Sequence, residues 1–147
     1  MSGKNFIIQC IAMYDLPSEY TQAFYAEMGC FFASKNIRKE IGEPMSNDEN
    51  YVWWLVRDKR NNFIVGFSAL EINKQKAKFR SSYVLSHYRN QGVYDSLIKE
   101  KISWAKQNNI LEIKTVASPV ASSICAKNGF AEYNKRGKYS LMIYETG

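Results

Sequence analysis

The sequence predicts an α+β fold: a central, mostly antiparallel, mixed sheet of about seven strands with helices on both faces. Three observations predict it. The apolar runs Tyr51–Val56, Phe63–Ile72 and Ala77–Ser86 are joined by short polar turns at Asp58–Asn62 and Asn73–Lys76, the pattern of an antiparallel meander. Within the third run Phe79, Ser81, Tyr83 and Leu85 alternate onto one side, as a half-buried strand requires. After the polar turn His87–Gly92 the period changes to helical, with Val93, Leu97, Ile98, Ile102 and Ala105 on one face.

The remaining elements follow in order. Phe6–Tyr14 is rich in Ile and aromatics and reads as a first strand. Asp15 or Ser18 is placed to cap a helix running through Ser34, on which Tyr20, Phe24, Met28, Phe31 and Phe32 recur as a core-facing stripe. A short second helix covers Lys35–Ile41 before the polar break at Gly42–Asn50. Trp53 and Trp54 are adjacent on a strand, so one faces inward and the other outward, where it would stack on a substrate at a cleft or, more plainly, pack on a neighbouring helix. Ile110–Val116 reads as a strand, Pro119–Asn128 as a helix, and Ala131–Asn134 with Tyr139–Tyr144 as two closing strands. No repeat, low-complexity run or linker divides the 147 residues, so one domain over 1–147 is expected.

The turn between the third meander strand and its helix has chemical potential. A strand feeding a helix through Arg89 and Gly92 leaves backbone N–H groups unpaired at the helix N-terminus. With the positive end of the helix dipole, they make a seat for an anion such as a pyrophosphate.

Arg89-Asn90-Gln91-Gly92-Val93-Tyr94 resembles the Arg/Gln-x-x-Gly-x-Gly/Ala loop of the GNAT superfamily of acyl-CoA-dependent N-acyltransferases. Lys127-Asn128-Gly129-Phe130 is similar to the family's Glu-Lys-x-Gly-Phe ending, and the resemblance spans residues 77–144. It implies transfer of an acetyl group from acetyl-CoA to an amine. It also implies that Arg89, Asn90, Gln91, Gly92, Val93 and Tyr94 bind the pyrophosphate. Tyr94 stands where the family has a small residue, so it must point away from the phosphate or narrow the site. Tyr83, Val84 and Leu85 would hold the pantetheine arm, with a backbone N–H there polarising the thioester carbonyl.

The acid and base are less conventional. The family's thiolate-protonating Tyr falls on Cys125, and its frequent Asn before that helix falls on Ser118. Ser118, Ser122 and Cys125 share one helical face, opposite Val120, Ile124 and Lys127. That polar face would line the cofactor channel with Cys125 as proton donor; alternatively Cys125 is a small buried filler and water is the acid. The family's strand-borne Glu falls near Lys78 or Phe79, leaving Glu71 and Glu112 as substitute bases. His87, the one histidine, is expected on the surface.

Composition narrows the partners. The net charge of +6 favours acidic ones: a phosphorylated cofactor, nucleic acid or an anionic surface. Lys74, Lys76, Lys78 and Arg80 alternate on one strand face, and Lys135, Arg136 and Lys138 crowd the last turn. A Lys-guarded sheet edge is preferred here to a phosphate-gripping patch. The rival readings are an acyltransferase acting on charged tRNA or a modified base, and a non-catalytic CoA-binding module of the same fold. A homodimer is admitted as an assembly. The three cysteines lack metal-like spacing and suit reduced thiols, and no metal site is expected. Phe6–Tyr14 is too short for a membrane span and no small-residue cleavage site follows it, so a cytoplasmic protein is expected.

Overall fold

A computed structural model describes residues 5–147. Seven strands and four α-helices follow in the order β1 (Phe6–Ala12), α1 (Ser18–Ala33), α2 (Lys35–Ile41), β2 (Tyr51–Asp58), β3 (Ile64–Asn73), β4 (Lys76–Val84), α3 (Val93–Gln107), β5 (Glu112–Ala117), α4 (Pro119–Lys127), β6 (Ala131–Arg136) and β7 (Tyr139–Glu145). They form one sheet of order β1-β2-β3-β4-β5-β7-β6, antiparallel throughout except between β4 and β5. This is the mixed α+β sheet that the meander and the strand–helix change of period predict.

The helix ends follow local chemistry. Ser34 Oγ accepts from the Ile37 N–H at 3.2 Å to start α2, and Gly42, at φ 89°, ends it in the left-handed conformation. Ser118 Oγ accepts from the Ala121 N–H at 3.3 Å, with Pro119 in the first turn of α4. For α1 neither Asp15 nor Ser18 caps: Pro17 holds the N-cap position without a side-chain bond.

The core has two parts, one on each face of the sheet. Trp53, Tyr51, Leu55 and Phe67 pack with Phe24 and Met28 of α1. Trp54, Val52 and Val56 pack with Leu97, Ile98 and Ile102 of α3 and Cys125 of α4. The two tryptophans thus point to opposite faces, as strand alternation requires, and both are buried because a helix, not solvent or substrate, covers each face. Trp53 meets Phe24, Phe32 and Phe67 with ring centroids 5.7–6.1 Å apart, and its Nε1 donates to Asn47 Oδ1 at 2.8 Å. On α1 the aromatic stripe is core at Phe24 and Met28, while Tyr20 lies outside it, exposed.

The strand order also corrects the basic-edge expectation. β4, which carries Lys76, Lys78 and Arg80, is the middle strand, and the edges are β1 and β6. Arg80 is taken up by Glu71 at 2.9 Å and Glu43 at 3.3 Å. No local pattern announces that β5 will dock beside β4, because the pairing is set by a crossover through α3.

Candidate active site

β4 and β5 pair only between Lys76–Lys78 and Glu112–Lys114; the rest of β4 has no partner on β5. A cavity of about 610 Å³ opens where the strands part. Its floor is Ser82, Tyr83 and Val84; Arg89, Asn90 and Gly92 form one end with Tyr94 at the start of α3. Ser118, Val120, Ala121, Ile124 and Lys127 of α4 make the opposite wall, and Glu40 reaches in from α2.

Backbone conformation aims the loop. Asn90 and Gly92 both take positive φ, 62° and 81°, and Gly92 is the N-cap of α3 without any side-chain cap. Asn tolerates the left-handed region through its short polar side chain, and Gly pays no Cβ clash there. Gly92 and the first-turn residues Val93, Tyr94 and Asp95 line the cavity, so the uncapped N-terminus of α3 lies at its wall, the arrangement that suits an anion. The loop is fixed from behind. Arg89 Nε donates to the Val84 carbonyl at 2.7 Å, its Nη2 meets Glu40 at 2.7 Å, and its guanidinium lies 5.3 Å over the Tyr83 ring. Tyr88 Oη donates to the buried Asp58 carboxylate at 3.1 Å. Arg60 holds that carboxylate well below the usual range by hydrogen bonds from side chain and backbone.

Lys127 and Lys99 both converge on Asp95, at 3.5 and 2.5 Å, and Asn128 Nδ2 donates to the same carboxylate at 2.7 Å. These partners hold Asp95 below its ordinary value, the Asn128 bond first. The one carboxylate in the first turn of α3 is therefore neutralised by neighbours, and a cation is drawn to the cavity wall.

Of the three backbone donors expected on β4, Leu85 is spent: its N–H donates to the Val65 carbonyl at 2.9 Å, and the residue does not line the cavity. Neighbouring residues in a strand point their amides to opposite sides. The Val84 N–H consequently faces the open side, as its carbonyl, bonded by Arg89, also does.

On α4 the expected lining face is reversed. Val120, Ile124 and Lys127 line the cavity with Ser118 and Ala121, whereas Ser122 and Cys125 do not. Ser118 spends its hydroxyl as the helix cap, and Ser122 Oγ donates to the Pro119 carbonyl at 2.9 Å. Cys125 is fully buried in the core under α4. Burial pushes its thiol up to about 11, against the pull of Lys101 and Tyr94. Tyr94 narrows the site: it lines the cavity and packs against the core, and burial, then the neighbouring Cys125, raises its phenol above the ordinary value.

The other sequence-predicted residues scatter. Gln91 donates to the His87 carbonyl at 3.1 Å and stays outside the cavity, and Val93 lines it while being mostly buried in the core. Glu71 is paired with Arg80 on the far part of β3 and does not line the cavity, so the structure does not bring it to the opening. Glu112 pairs with Lys114 at 3.8 Å, and His87 is exposed on the 3₁₀ turn Ser86–Tyr88.

Sequence reading missed Lys101, whose side chain is fully buried, and the serines Ser68 and Ser82 that it touches. The signal was present. Lys101 lies one helical step from both Leu97 and Ala105, inside the apolar stripe of α3. Glu40 and Lys127 on the cavity wall were also missed, because the helices that carry them approach the loop only in the folded chain.

A family model for the acetyltransferase (GNAT) domain matches residues 18–140. No curated protein sequence matches the chain. Among solved structures, the PaiA N-acetyltransferase of Thermoplasma acidophilum, in complex with coenzyme A, is similar at 18% identity and TM-score 0.63, over 95% of this chain and 98% of that one. The spermidine N-acetyltransferase of Vibrio cholerae, in complex with CoA and spermine, is similar at 16% identity and TM-score 0.65, over 97% and 96%. A GNAT-family acetyltransferase of Elizabethkingia anophelis with acetyl-CoA bound is similar at 16% identity and TM-score 0.61, over 96% and 98%. At these identities the structures attest the fold, which the open seven-stranded sheet shares. The family match over most of the chain carries the rest: this protein belongs to the GNAT acetyltransferase family, enzymes that move an acetyl group from acetyl-CoA to an amine.

Proposed function

We propose that residues 1–147 act as one N-acetyltransferase domain whose donor, acetyl-CoA, lies in the cavity between β4 and α4. The observation that carries this reading is a single continuous cavity with an uncapped helix N-terminus at one end and the parted strands at the other. A pyrophosphate fits the first, since the N–H groups of the Asn90–Tyr94 turn and the cations Arg89 and Lys127 surround it. The apolar wall of Val120, Ala121 and Ile124 suits a pantetheine arm, and the arm's carbonyl end then reaches Val84.

The chemistry needs a polarised thioester. The Val84 N–H is a preformed dipole aimed at the oxygen on which negative charge develops as the amine attacks, a contribution of several kcal/mol in such sites. The acceptor is an amine reaching the thioester where β4 and β5 part. In the Vibrio cholerae structure the bound spermine is such a molecule. The described residues include no helix long and apolar enough to cross a membrane. That fits a cytoplasmic enzyme, as do the free thiols Cys10, Cys30 and Cys125.

Calorimetry with CoA tests the placement. Gly92→Glu forces a side chain onto a left-handed position and sets a negative charge against the phosphate, so affinity should fall by at least tenfold. Unchanged affinity sinks the placement. Intact-mass analysis of an amine panel with acetyl-CoA separates an enzyme from a silent CoA-binding module.

A further inference from the structure

Lys101 has an environment in which lysine is seldom found. Its side chain is fully buried, and among the described residues no carboxylate forms an ion pair with it. Nζ instead bonds Ser68 Oγ of β3, lies 3.4 Å from Ser82 Oγ of β4, and sits 3.4 Å over the Phe79 ring. Ser68 and Ser82 hydroxyls are themselves 2.5 Å apart.

This cluster sits on a β-bulge. One residue of β3, Ser68, faces two of β4, Ser81 and Ser82, between the pairs Phe67–Tyr83 and Ala69–Arg80. Ser81 takes φ 49°, a conformation disfavoured for Ser, and its buried Oγ has no partner among the described residues. The bulge turns Ser82 so that one residue both touches the buried amine and lines the cavity. Ser82 adjoins Tyr83 and Val84, at the thioester end.

The groups facing Nζ are few. β3 and β4 offer the two hydroxyls and Phe79, its own helix offers apolar Leu97, Ile98 and Ala105, and α4 offers the Cys125 thiol, the one titratable neighbour among the described residues. Burial brings the amine down to about 7, partly opposed by Cys125.

We infer that Lys101 is the internal proton carrier of the acetyl transfer, acting through the Ser82 hydroxyl that touches the substrates; this rests on the CoA placement above. The cycle starts with a neutral amine at Lys101. As the acceptor nitrogen forms its bond to the thioester carbon, the C=O electron pair moves onto oxygen. A proton then leaves the nitrogen for Ser82 Oγ while the Ser82 proton passes to Nζ, directly or through Ser68. The oxyanion re-forms the carbonyl and the C–S bond breaks. The departing thiolate takes the Ser82 proton, and Nζ restores it. The products are amide and CoA thiol, Lys101 is neutral again, and no proton is exchanged with solvent. Lys101 is thus a positioning residue for a proton, and Ser82 the group in contact with the reacting atoms.

The test needs no knowledge of the acceptor. The Lys101 ¹³Cε resonance, assigned by its loss in Lys101→Met, is titrated in the free protein, with saturating CoA, and with saturating desulfo-CoA. If Ser82 connects Nζ to the sulfur, CoA should raise the Lys101 midpoint by a few tenths of a pH unit, because the bound thiol, which alone ionises near ~8.5, gives its proton to the connected amine as pH rises. Desulfo-CoA should leave the midpoint where it is, and Ser82→Ala should abolish the difference. Equal midpoints with the two ligands overturn the relay, as does a CoA-specific shift that survives Ser82→Ala. Failure of either ligand to bind by calorimetry instead removes the CoA placement, which keeps the two failures distinct.

Discussion

Arg89 Nη2 and Glu40 Oε2 meet at 2.7 Å at the rim of the cavity, tying α2 to the loop that precedes α3. Both side chains are about half exposed, so the pair itself is worth little, ~0–1 kcal/mol. Its consequence lies in competition. The guanidinium already serves the Val84 carbonyl through Nε, and Glu40 occupies one of the arms that a phosphate would use.

Glu40→Gln should therefore tighten CoA about 2- to 5-fold at low ionic strength, by freeing that arm and removing a like charge from the site. Near 150 mM salt the gain should shrink, since the Debye length there is only ~8 Å. Calorimetry at the two salt concentrations checks it. Weaker binding in Glu40→Gln would show that the pair orders the loop more than it competes.

Cys125→Ala separates packing from chemistry. The thiol lies in the core behind Tyr94 and outside the cavity, and at about 11 it stays protonated at neutral pH. Removing one sulfur should cost ~1 kcal/mol of stability, seen as a fall of a few degrees in Tm, with kcat within about twofold of the parent. A loss of kcat on the order of 100-fold at unchanged KM would return Cys125 to the reaction as proton donor.

How much of this was legible depends on how local each signal is. The turn from β4 to α3 was readable because Arg89, Asn90 and Gly92 act within six residues, and all of those six but Gln91 line the cavity. For Trp53 and Trp54 the strand period gave the opposite faces, but not that α1 and α3 bury both, because those neighbours are distant in sequence. The lining face of α4 was inverted for a related reason. Hydroxyls at Ser118 and Ser122 looked like site chemistry, yet backbone groups one turn away consumed both. Lys101 was overlooked because a lysine on a helix is ordinarily read as solvated, and here only the apolar residues around it say otherwise.

The positive charge should not make this a nucleic-acid binder. Lys76 and Lys78 lie on the middle strand, while Arg136 and Lys138 belong to the edge hairpin, and Lys135 is already paired with Glu132 at 3.4 Å. Arg57, Arg60, Arg80 and Arg89 are each bound to a carboxylate. Binding to RNA or DNA in a gel shift should be weak at low salt and barely measurable near 150 mM, where few phosphate contacts cannot hold a complex. Tight binding that survives that salt would promote the tRNA-directed reading.

Buried without a carboxylate, Lys101 should leave its mark on stability as well as on catalysis. Its amine falls from 10.5 to about 7 on folding, chiefly through burial. Between those pH values the unfolded chain holds a proton that the folded chain does not, so stability should rise with pH across the window. Below about 7 both states are protonated and the full penalty is present; above about 10.5 both are neutral and it vanishes. At roughly 1.4 kcal/mol per pH unit the penalty is on the order of 5 kcal/mol, before other titrating groups are counted. Lys101→Met keeps the length and removes the ionisable group, so it should stabilise the protein at pH 7 by a few kcal/mol and flatten the curve from pH 7 to 10. Urea melts of both proteins across that range give the comparison. Parallel curves for parent and variant would mean that Lys101 stays protonated in the fold, held by its two hydroxyls and the Phe79 ring, and has no proton affinity to lend near neutral pH.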